Sequence, residues 1–398
     1  MNDAPDPRPG LRSTPEERAR AAAPVLLAEA DGIEAGRRLT PAALDALHVQ
    51  RLFRVLLPRS VGGDEAHPVD YIRMLIEVAA ADASTAWCIG QGSGCSMAAA
   101  YLPLATAQAV WGDDPRAVLA WGQNQGARAR VVDGGYRVTG RWTFVSGGHH
   151  ATWIGGHCHV VERDGSLRAG ADGRPIERTM LIPAAAMTVT DDWNVMGLRG
   201  TGSDTFAVDD YFVADAYSTC RDTDEERREG GTLYQFSTTN MYAAGFAGVA
   251  LGVARGMLDQ FVALARDKTP SLTSRGLRDS PAIQRDVAIG EARWRAARAG
   301  LLTILSETWD AVSATGRITL DQRMAIRLAA TFAIHQAKEV ADLCWREAGT
   351  TAIFPANGLE RRFRDMNTVT QQVQGRMTHF EAVGQHLLGV APPTLRHI

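Results

Sequence analysis

The sequence predicts an α+β chain in three parts: helices over 1–117, a small β domain (a barrel or sandwich) over 118–217, and a four-helix bundle over 218–398. Three observations predict it. Helix-start signals open the chain, short alternating segments between Gly-rich turns occupy its middle, and apolar residues then return at spacings of three and four.

The elements follow in order. Pro and Asp dominate the first dozen residues without any apolar period, which predicts a loose leader. Thr14-Pro15-Glu16-Glu17 offers a hydroxyl cap, a proline at the first helical position and a Glu three residues after the cap, and Thr40-Pro41 opens a second helix the same way. Helical spacing continues through 71–81 and, less regularly, through 87–111. Asp133-Gly134 inside Val131 to Val138 predicts a tight hairpin and Arg163 to Ser166 another, while 179–183, 187–193 and 205–213 read as strands. Beyond Tyr234, Phe246, Val249, Val253, Met257, Phe261 and Leu264 share one helix face, as do Trp294, Ala297, Leu301, Leu305 and Trp309. A last stripe from Phe363 through Met366, Val369, Val373, Met377, Phe380 and Val383 to Leu387 predicts one continuous helix of about seven turns. Long helices with narrow stripes pack as antiparallel bundles.

Composition excludes several functions. A net charge of -3 leaves no basic excess for a nucleic-acid backbone. Five scattered cysteines, odd in number and without a CxxC pair, predict reduced thiols in a cytoplasmic protein rather than a disulfide frame or a metal site. The N-terminal residues lack the apolar core of a signal peptide, and no run of about 18 uninterrupted apolar residues predicts a membrane span.

Two turns carry the chemistry. Trp142-Thr143-Phe144-Val145-Ser146-Gly147-Gly148 ends a strand in a hydroxyl and two glycines, which lets backbone approach a flat ligand; an ordinary β-turn explains the same residues. Gly197-Leu198-Arg199-Gly200-Thr201-Gly202-Ser203 offers three glycines, two hydroxyls and a guanidinium, suited to the polar edge or phosphate of a ligand. Arg199 pairs there with a phosphate or with a neighbouring carboxylate such as Asp192. Trp121-Gly122-Gln123 stands at the entrance to the β domain, where its amide serves a ligand or merely a solvated strand end. His149 and His150 follow the serine turn directly, whereas His335 stands alone on a helix and reads as a core or interface residue.

Four stretches, in this order and spacing, resemble the acyl-CoA dehydrogenase fold: "SVGGDEAHPVDYIRMLIEVAAADASTAWC", "GRWTFVSGGHHATWIGG", "WNVMGLRGTGSDTFAVDDYFV" and "REAGTTAIFPANGLERRFRDMN". Within that fold the sequence is most similar to the oxygenase component of two-component flavin-dependent monooxygenases. The resemblance implies a homotetramer that takes reduced FMN or FAD from a separate NAD(P)H:flavin reductase. Dioxygen would add at the flavin C4a carbon, and the hydroperoxide would oxygenate a small electron-rich organic substrate.

It also implies site residues. Ser146 would lie near the flavin N5, Trp153 near the ring system, and the isoalloxazine against the edge of the β layer, held by both turns under a lid of helices. Trp121, Gln123, Phe144, Gly147, Arg199, Gly200, Thr201, Ser203 and Arg364 complete the expected flavin set. Trp87, Trp142, Phe144 and Trp153 suit a drying role or a plain core. The Arg364-Asp365 pair would contact flavin from a neighbouring subunit or anchor its own helix.

The sequence departs from the family's pattern at two places. Aromatic hydroxylases of this branch carry histidines where Asn367 and Gln372 stand; an imidazole takes a phenolic proton near neutral pH, and amides only hydrogen-bond. His149 or His150 would then substitute, or the substrate would be reactive without a base. Acyl-CoA dehydrogenases need a carboxylate after the Arg-Asp pair, and Gln371 to Gly375 holds none; Glu381 reads as solvated. The lack of a glycine pair in Gly349-Thr350-Thr351-Ala352 favours FMN over FAD. An acyl thioester dehydrogenase and a non-catalytic flavin-fold protein are the rival readings.

Overall fold

A computed structural model describes residues 13–170, 173–221, 224–271, 273–391, 395 and 398. The first dozen residues, expected to be loose, lie outside the described set.

Helices occupy both ends of the chain. The first group is α1 (Pro15–Gly36), α2 (Pro41–Val49), α3 (Pro68–Ala81), α4 (Ala83–Ser96) and the single turn α5 (Leu104–Ala107). Thr14 caps α1 as its sequence suggests: its side chain accepts from the Glu17 N–H while Glu17 reaches back to the Thr14 N–H. Thr40 caps α2. Asp82 caps α4 from a buried position, with Oδ1 2.7 Å from the Thr85 N–H.

The strands run from Leu119 to Thr219: β1 (Leu119–Trp121), β2 (Gln123–Asn124), β3 (Arg128–Val132), β4 (Gly135–Thr143), β5 (Trp153–Val161), β6 (Glu177–Pro183), β7 (Thr188–Thr190), β8 (Thr205–Ala214) and β9 (Ser218–Thr219). They form one sheet in the order β7-β8-β4-β3-β5-β6-β9, with β1 paired to β5 and β2 to β4. The Asp133-Gly134 hairpin joins β3 to β4, with Val132 opposite Gly135. Trp142, Val138, Ile154 and Phe206 fill the sheet core. A second apolar cluster, with Trp111, Leu119, Trp121 and Leu181, seals the sheet against the first helices.

The C-terminal helices are α6 (Thr238–Asp267), α7 (Pro281–Thr315), α8 (Leu320–Ala348), α9 (Leu359–Val369) and α10 (Thr378–Leu387). α6 is central, packed on α3, α4, α7, α8 and α9. By length and composition it would cross a bilayer, yet 83% of its most apolar window is buried inside the protein. Such an all-round apolar helix is what a large bundle core requires.

The expected single final helix is two helices. Between α9 and α10 the chain makes one 3-10 turn over Val373–Gly375. Side chains take the carbonyls that a continuous helix would have used: His379 Nε2 lies 2.7 Å from the Val373 oxygen and His335 Nε2 2.9 Å from that of Gly375. The apolar spacing runs through the break because Val373 and Met377 keep the period, although Met377 is exposed. His335, read as a core or interface residue, is half-buried and bonded to this turn.

Phe261 is fully buried at the middle of the bundle. Phe261→Ala should cost about 3–5 kcal/mol in urea denaturation, the range for truncating a buried aromatic.

Candidate functional site

The serine turn begins where β4 ends. Phe144 adopts φ 58°, a left-handed conformation that costs a bulky L-residue on the order of 1–3 kcal/mol. Its ring stays 57% exposed, edge-on to Trp193 at 5.8 Å. Thr143 and Gln123 face each other in the adjoining β2–β4 pair. A strained, solvent-exposed aromatic beside side-chain hydroxyl and amide groups is a shelf for a flat ring rather than a core feature.

The serine turn and the three-glycine turn are bonded directly to each other. Ser146 Oγ lies 2.7 Å from Ser203 Oγ, which lies 2.7 Å from Thr201 Oγ1, whose proton goes to the Leu198 carbonyl at 2.8 Å. The Gly147 N–H donates to the Thr201 carbonyl at 2.9 Å. All three hydroxyls belong to buried residues. From the other side, the Trp87 indole N–H of α4 donates to Ser146 Oγ at 3.1 Å.

The three glycines of the second turn serve close packing instead of phosphate binding. A Cβ on Gly200 would lie 2.1 Å from Ile33 Cγ2 of α1, and one on Gly197 2.2 Å from the Arg364 carbonyl of α9. Gly202, at φ +49°, is pressed against the Arg37 carbonyl and the His149 ring. The two cations are committed as well. Arg199 donates to the Val195 carbonyl at 3.2 Å and lies 3.5 Å from Glu34. Arg364 binds Glu360, Glu34 at 2.8 Å and the Met196 carbonyl at 2.5 Å, and Glu360 and Glu34 hold its pKa above the ordinary value. Arg199, Gly200, Thr201 and Ser203, expected at the polar edge or phosphate of a flavin, and Arg364, expected to contact flavin from a neighbouring subunit or to anchor its helix, tie the β domain to α1, α4 and α9 within the chain.

Asp365 completes that weld. It is buried and its Oδ1 accepts from the Leu198 N–H at 2.7 Å. Burial raises its carboxyl pKa to about 7, the Leu198 N–H opposes this, and Asp82 and Glu34 push the same way as burial.

Both histidines of the serine turn are held by its neighbours. His149 Nε2 lies 2.6 Å from Asp204 Oδ2, and Asp204 Oδ1 accepts from the Asp192 and Trp193 N–H groups. His150 packs against Phe53 at 5.4 Å and beneath Gly147, and burial lowers its pKa to about 3. It stays neutral at physiological pH.

A run of packed aromatic rings, drawn from segments far apart in sequence, leads to Ser146. Trp121 meets Tyr242 edge-on at 6.1 Å; Tyr242 stacks on Phe246 at 5.7 Å; Phe246 stacks on Trp87 at 4.0 Å. Trp87 then reaches Ser146. Arg221 lies over the Trp121 ring at 4.0 Å. Helical spacing showed Phe246 as core, but only packing brings α4, α6 and β1 to one place. Trp142 is fully buried with its indole N–H on the His157 carbonyl, and Trp153 stacks on Tyr217 at 5.5 Å.

Gln123 opens instead onto a cleft of about 420 Å³ with Asn124, Gly126, His157, His159 and Glu177. Asn367 donates to the Phe363 carbonyl at 2.8 Å, one turn back in α9. Gln372 Oε1 accepts from the Gln374 N–H at 2.6 Å in the turn after α9. So the structure brings Ser146, Gly147, Thr201 and Ser203 together, sets Phe144 and Gln123 at the adjoining surface, and leaves Trp153 on Tyr217.

The residues fit a flavin ring in part. The exposed Phe144 ring suits one face of an isoalloxazine, and Ser146 follows it two residues on. The hydroxyls of the two turns touch each other, and Arg199 and Arg364 are paired with Glu34 and Glu360 within the chain.

Two outcomes test this geometry. Gly200→Ala should destabilise the protein by about 1–3 kcal/mol in urea melts, since its methyl overlaps Ile33. Asp365 has a folded pKa above its unfolded value of about 3.9, so its stabilising contribution is full below that value and is lost as pH climbs through about 7. Asp365→Asn keeps an acceptor for Leu198 and carries no charge. Measured by denaturation from pH 4 to 8, the wild type should lose stability relative to Asp365→Asn as pH rises; a gain would mean an ionised, paired Asp365.

Comparison with known proteins agrees with this architecture. The family model described as "Acyl-CoA dehydrogenase, C-terminal domain" matches residues 244–375. The chain is 28% identical over 391 residues to the indole-3-acetate monooxygenase of Pseudomonas putida, covering 96% of this chain and 97% of that protein. It is 28% identical to the oxygenase component of the FADH(2)-dependent resorcinol hydroxylase of a Rhizobium species, covering 98% of each. The crystal structure of the 3-HSA hydroxylase from Rhodococcus sp. RHA1 superposes with a TM-score of 0.88 at 24% identity, covering 97% of this chain and 99% of that one, a likeness of fold. With the acyl-CoA dehydrogenase fold and near full-length similarity to the oxygenase components of two-component systems, the chain is a flavin-dependent monooxygenase.

Proposed function

We propose that this chain takes reduced FMN or FAD from a separate NAD(P)H:flavin reductase and inserts one oxygen atom into a small aromatic substrate. The observation that carries the reading is the run of packed aromatic rings from Trp121 through Tyr242 and Phe246 to Trp87, which ends on the buried Ser146 hydroxyl. Apolar rings behind that hydroxyl exclude the water that would divert an activated oxygen species. Reduced flavin, when bound, supplies the activation of dioxygen and the oxygen atom that is transferred.

The chain's own residues bind, orient and dry. Phe144 carries the flavin ring, and Ser146 is held in one orientation by Trp87 and Ser203. The turn after α9 presents Gln372 and Gln374, amides that move no proton. His150 is neutral and packed away, and His149 is bound to Asp204. The substrate is therefore one that is electron-rich without a protein base, such as an indole, an amine or an already ionised phenol. The same absence of a carboxylate in this turn counts against thioester dehydrogenation.

Assembly as a homotetramer is supported by apolar side chains left exposed on the bundle, among them Phe332, Phe354, Leu387 and Leu388. A cytoplasmic location is supported by free cysteines, four of them buried and none cross-linked among the described residues.

The test supplies FMNH2 or FADH2 anaerobically, adds oxygen with a panel of indoles, anilines and phenols, and measures oxygenated product against hydrogen peroxide. One oxygen incorporated from O2 supports the reading. A protein that purifies with tightly held oxidised FAD and reduces it on addition of an acyl thioester overturns it. Phe144→Ala, at an exposed position, should leave the melting temperature unchanged, weaken reduced-flavin binding about tenfold and raise the peroxide yield.

A further inference from the structure

Three oxygen–oxygen contacts at the junction of the two turns lie at hydrogen-bond distance: Ser146 Oγ to Ser203 Oγ at 2.7 Å, Ser203 Oγ to Thr201 Oγ1 at 2.7 Å, and Thr201 Oγ1 to the Leu198 carbonyl at 2.8 Å. Two oxygens this close repel each other unless a proton lies between them, so each contact needs one. The three hydroxyls own three protons, and a carbonyl owns none. Starting from the carbonyl, a single arrangement remains. Thr201 donates to Leu198, Ser203 donates to Thr201, and Ser146 donates to Ser203. The reverse order would leave the Thr201 and Leu198 oxygens face to face with no proton between them.

Ser146 therefore ends the chain with its proton spent. From the other side the Trp87 indole, which can only donate, gives its N–H to the same oxygen at 3.1 Å, and stacking on Phe246 at 4.0 Å holds that indole in place. A hydroxyl oxygen has two lone pairs; Trp87 takes one, and among the described residues no group takes the other. Exposure falls along the chain, from 6% at Ser146 to 3% at Ser203 and 2% at Thr201, so the open lone pair belongs to the outermost of the three. Toward any ligand laid on this turn, Ser146 accepts and does not donate.

We propose that Thr201 and Ser203 are positioning residues that fix Ser146 as an acceptor and so make the site discriminate reduced from oxidised flavin. A flavin ring on the face of Phe144 is taken from the oxygenase reading, on which this step rests. The edge of an oxidised isoalloxazine offers acceptors, N5 among them, and one N–H, at N3. Reduction places a hydrogen on N5 and turns that atom from acceptor to donor. An acceptor-only hydroxyl at N5 bonds to the reduced ring, and it sets lone pair against lone pair with the oxidised one. A serine with a free proton would serve both forms by turning. The chain through Ser203 to Thr201 removes that freedom.

The experiment titrates the full chain anaerobically with FMN and FAD, each oxidised and reduced, and with 5-deaza-FMN in both states, where carbon replaces N5 and neither state carries an N–H at that position. The natural flavin should bind at least about tenfold more tightly when reduced, which raises the midpoint potential of the bound flavin by about 30 mV. The two states of 5-deaza-FMN should differ by less than about threefold. Ser203→Ala and Thr201→Val each release the Ser146 proton and should bring the natural flavin to the same small ratio, while Thr201→Ser keeps the hydroxyl and should keep the preference. Equal binding of both natural forms by the wild type, a full preference retained with 5-deaza-FMN, or a full preference retained in both hydroxyl-deleting variants overturns the proposal. The first two outcomes are read on the wild type and depend on no variant folding. Flavin bound without redox preference sinks this inference alone, and no flavin bound in either state sinks the oxygenase reading with it.

Discussion

The structure depends on one junction, the chain of hydroxyls from Ser146 through Ser203 to Thr201 together with the Asp365 carboxyl on the Leu198 amide. Through these bonds the sheet is tied to α4 by Trp87, to α9 by Asp365 and to α1 by the contact at Gly200. A buried hydroxyl must find a partner or lose about 1–3 kcal/mol. Here each hydroxyl satisfies the next, so a polar seam costs little and holds three bodies in a single arrangement.

That seam also fixes what stands beside it. With Ser146 bound on two sides, the turn cannot relax, and Phe144 is held in its left-handed conformation at the sheet edge. The strain at Phe144 is offset by the bonds of its neighbours, which is how a rigid scaffold presents a binding surface. On the inner side of the seam Trp87 begins a run of rings; on the outer side Phe144 begins an open shelf.

The bundle adds a second polar device of the opposite kind. Where the hydroxyl seam is fully satisfied, the Arg327–Gln374–Gln372 group is not. The three-glycine turn shows how misleading composition is on this point. Its glycines and hydroxyls look like a phosphate cradle, yet their atoms are spent on one another and on α1 and α9.

The sequence by itself determined the succession of helices, strands and helices, the caps on α1 and α2, the β3–β4 hairpin, and the resemblance that named the fold, because these follow from local spacing and from residues close in the chain. It also brought Ser146 and the glycine turn forward as partners of one site, and showed that Asn367 and Gln372 carry no base. Only the tertiary structure decided what those residues do. The break at Val373–Gly375 escapes periodicity because its carbonyls are taken by His335 and His379 rather than by the helix. The run of aromatic rings joins residues from three distant segments. Hydrogen-bond satisfaction is a property of what comes together in space, and no local pattern of residue types records it.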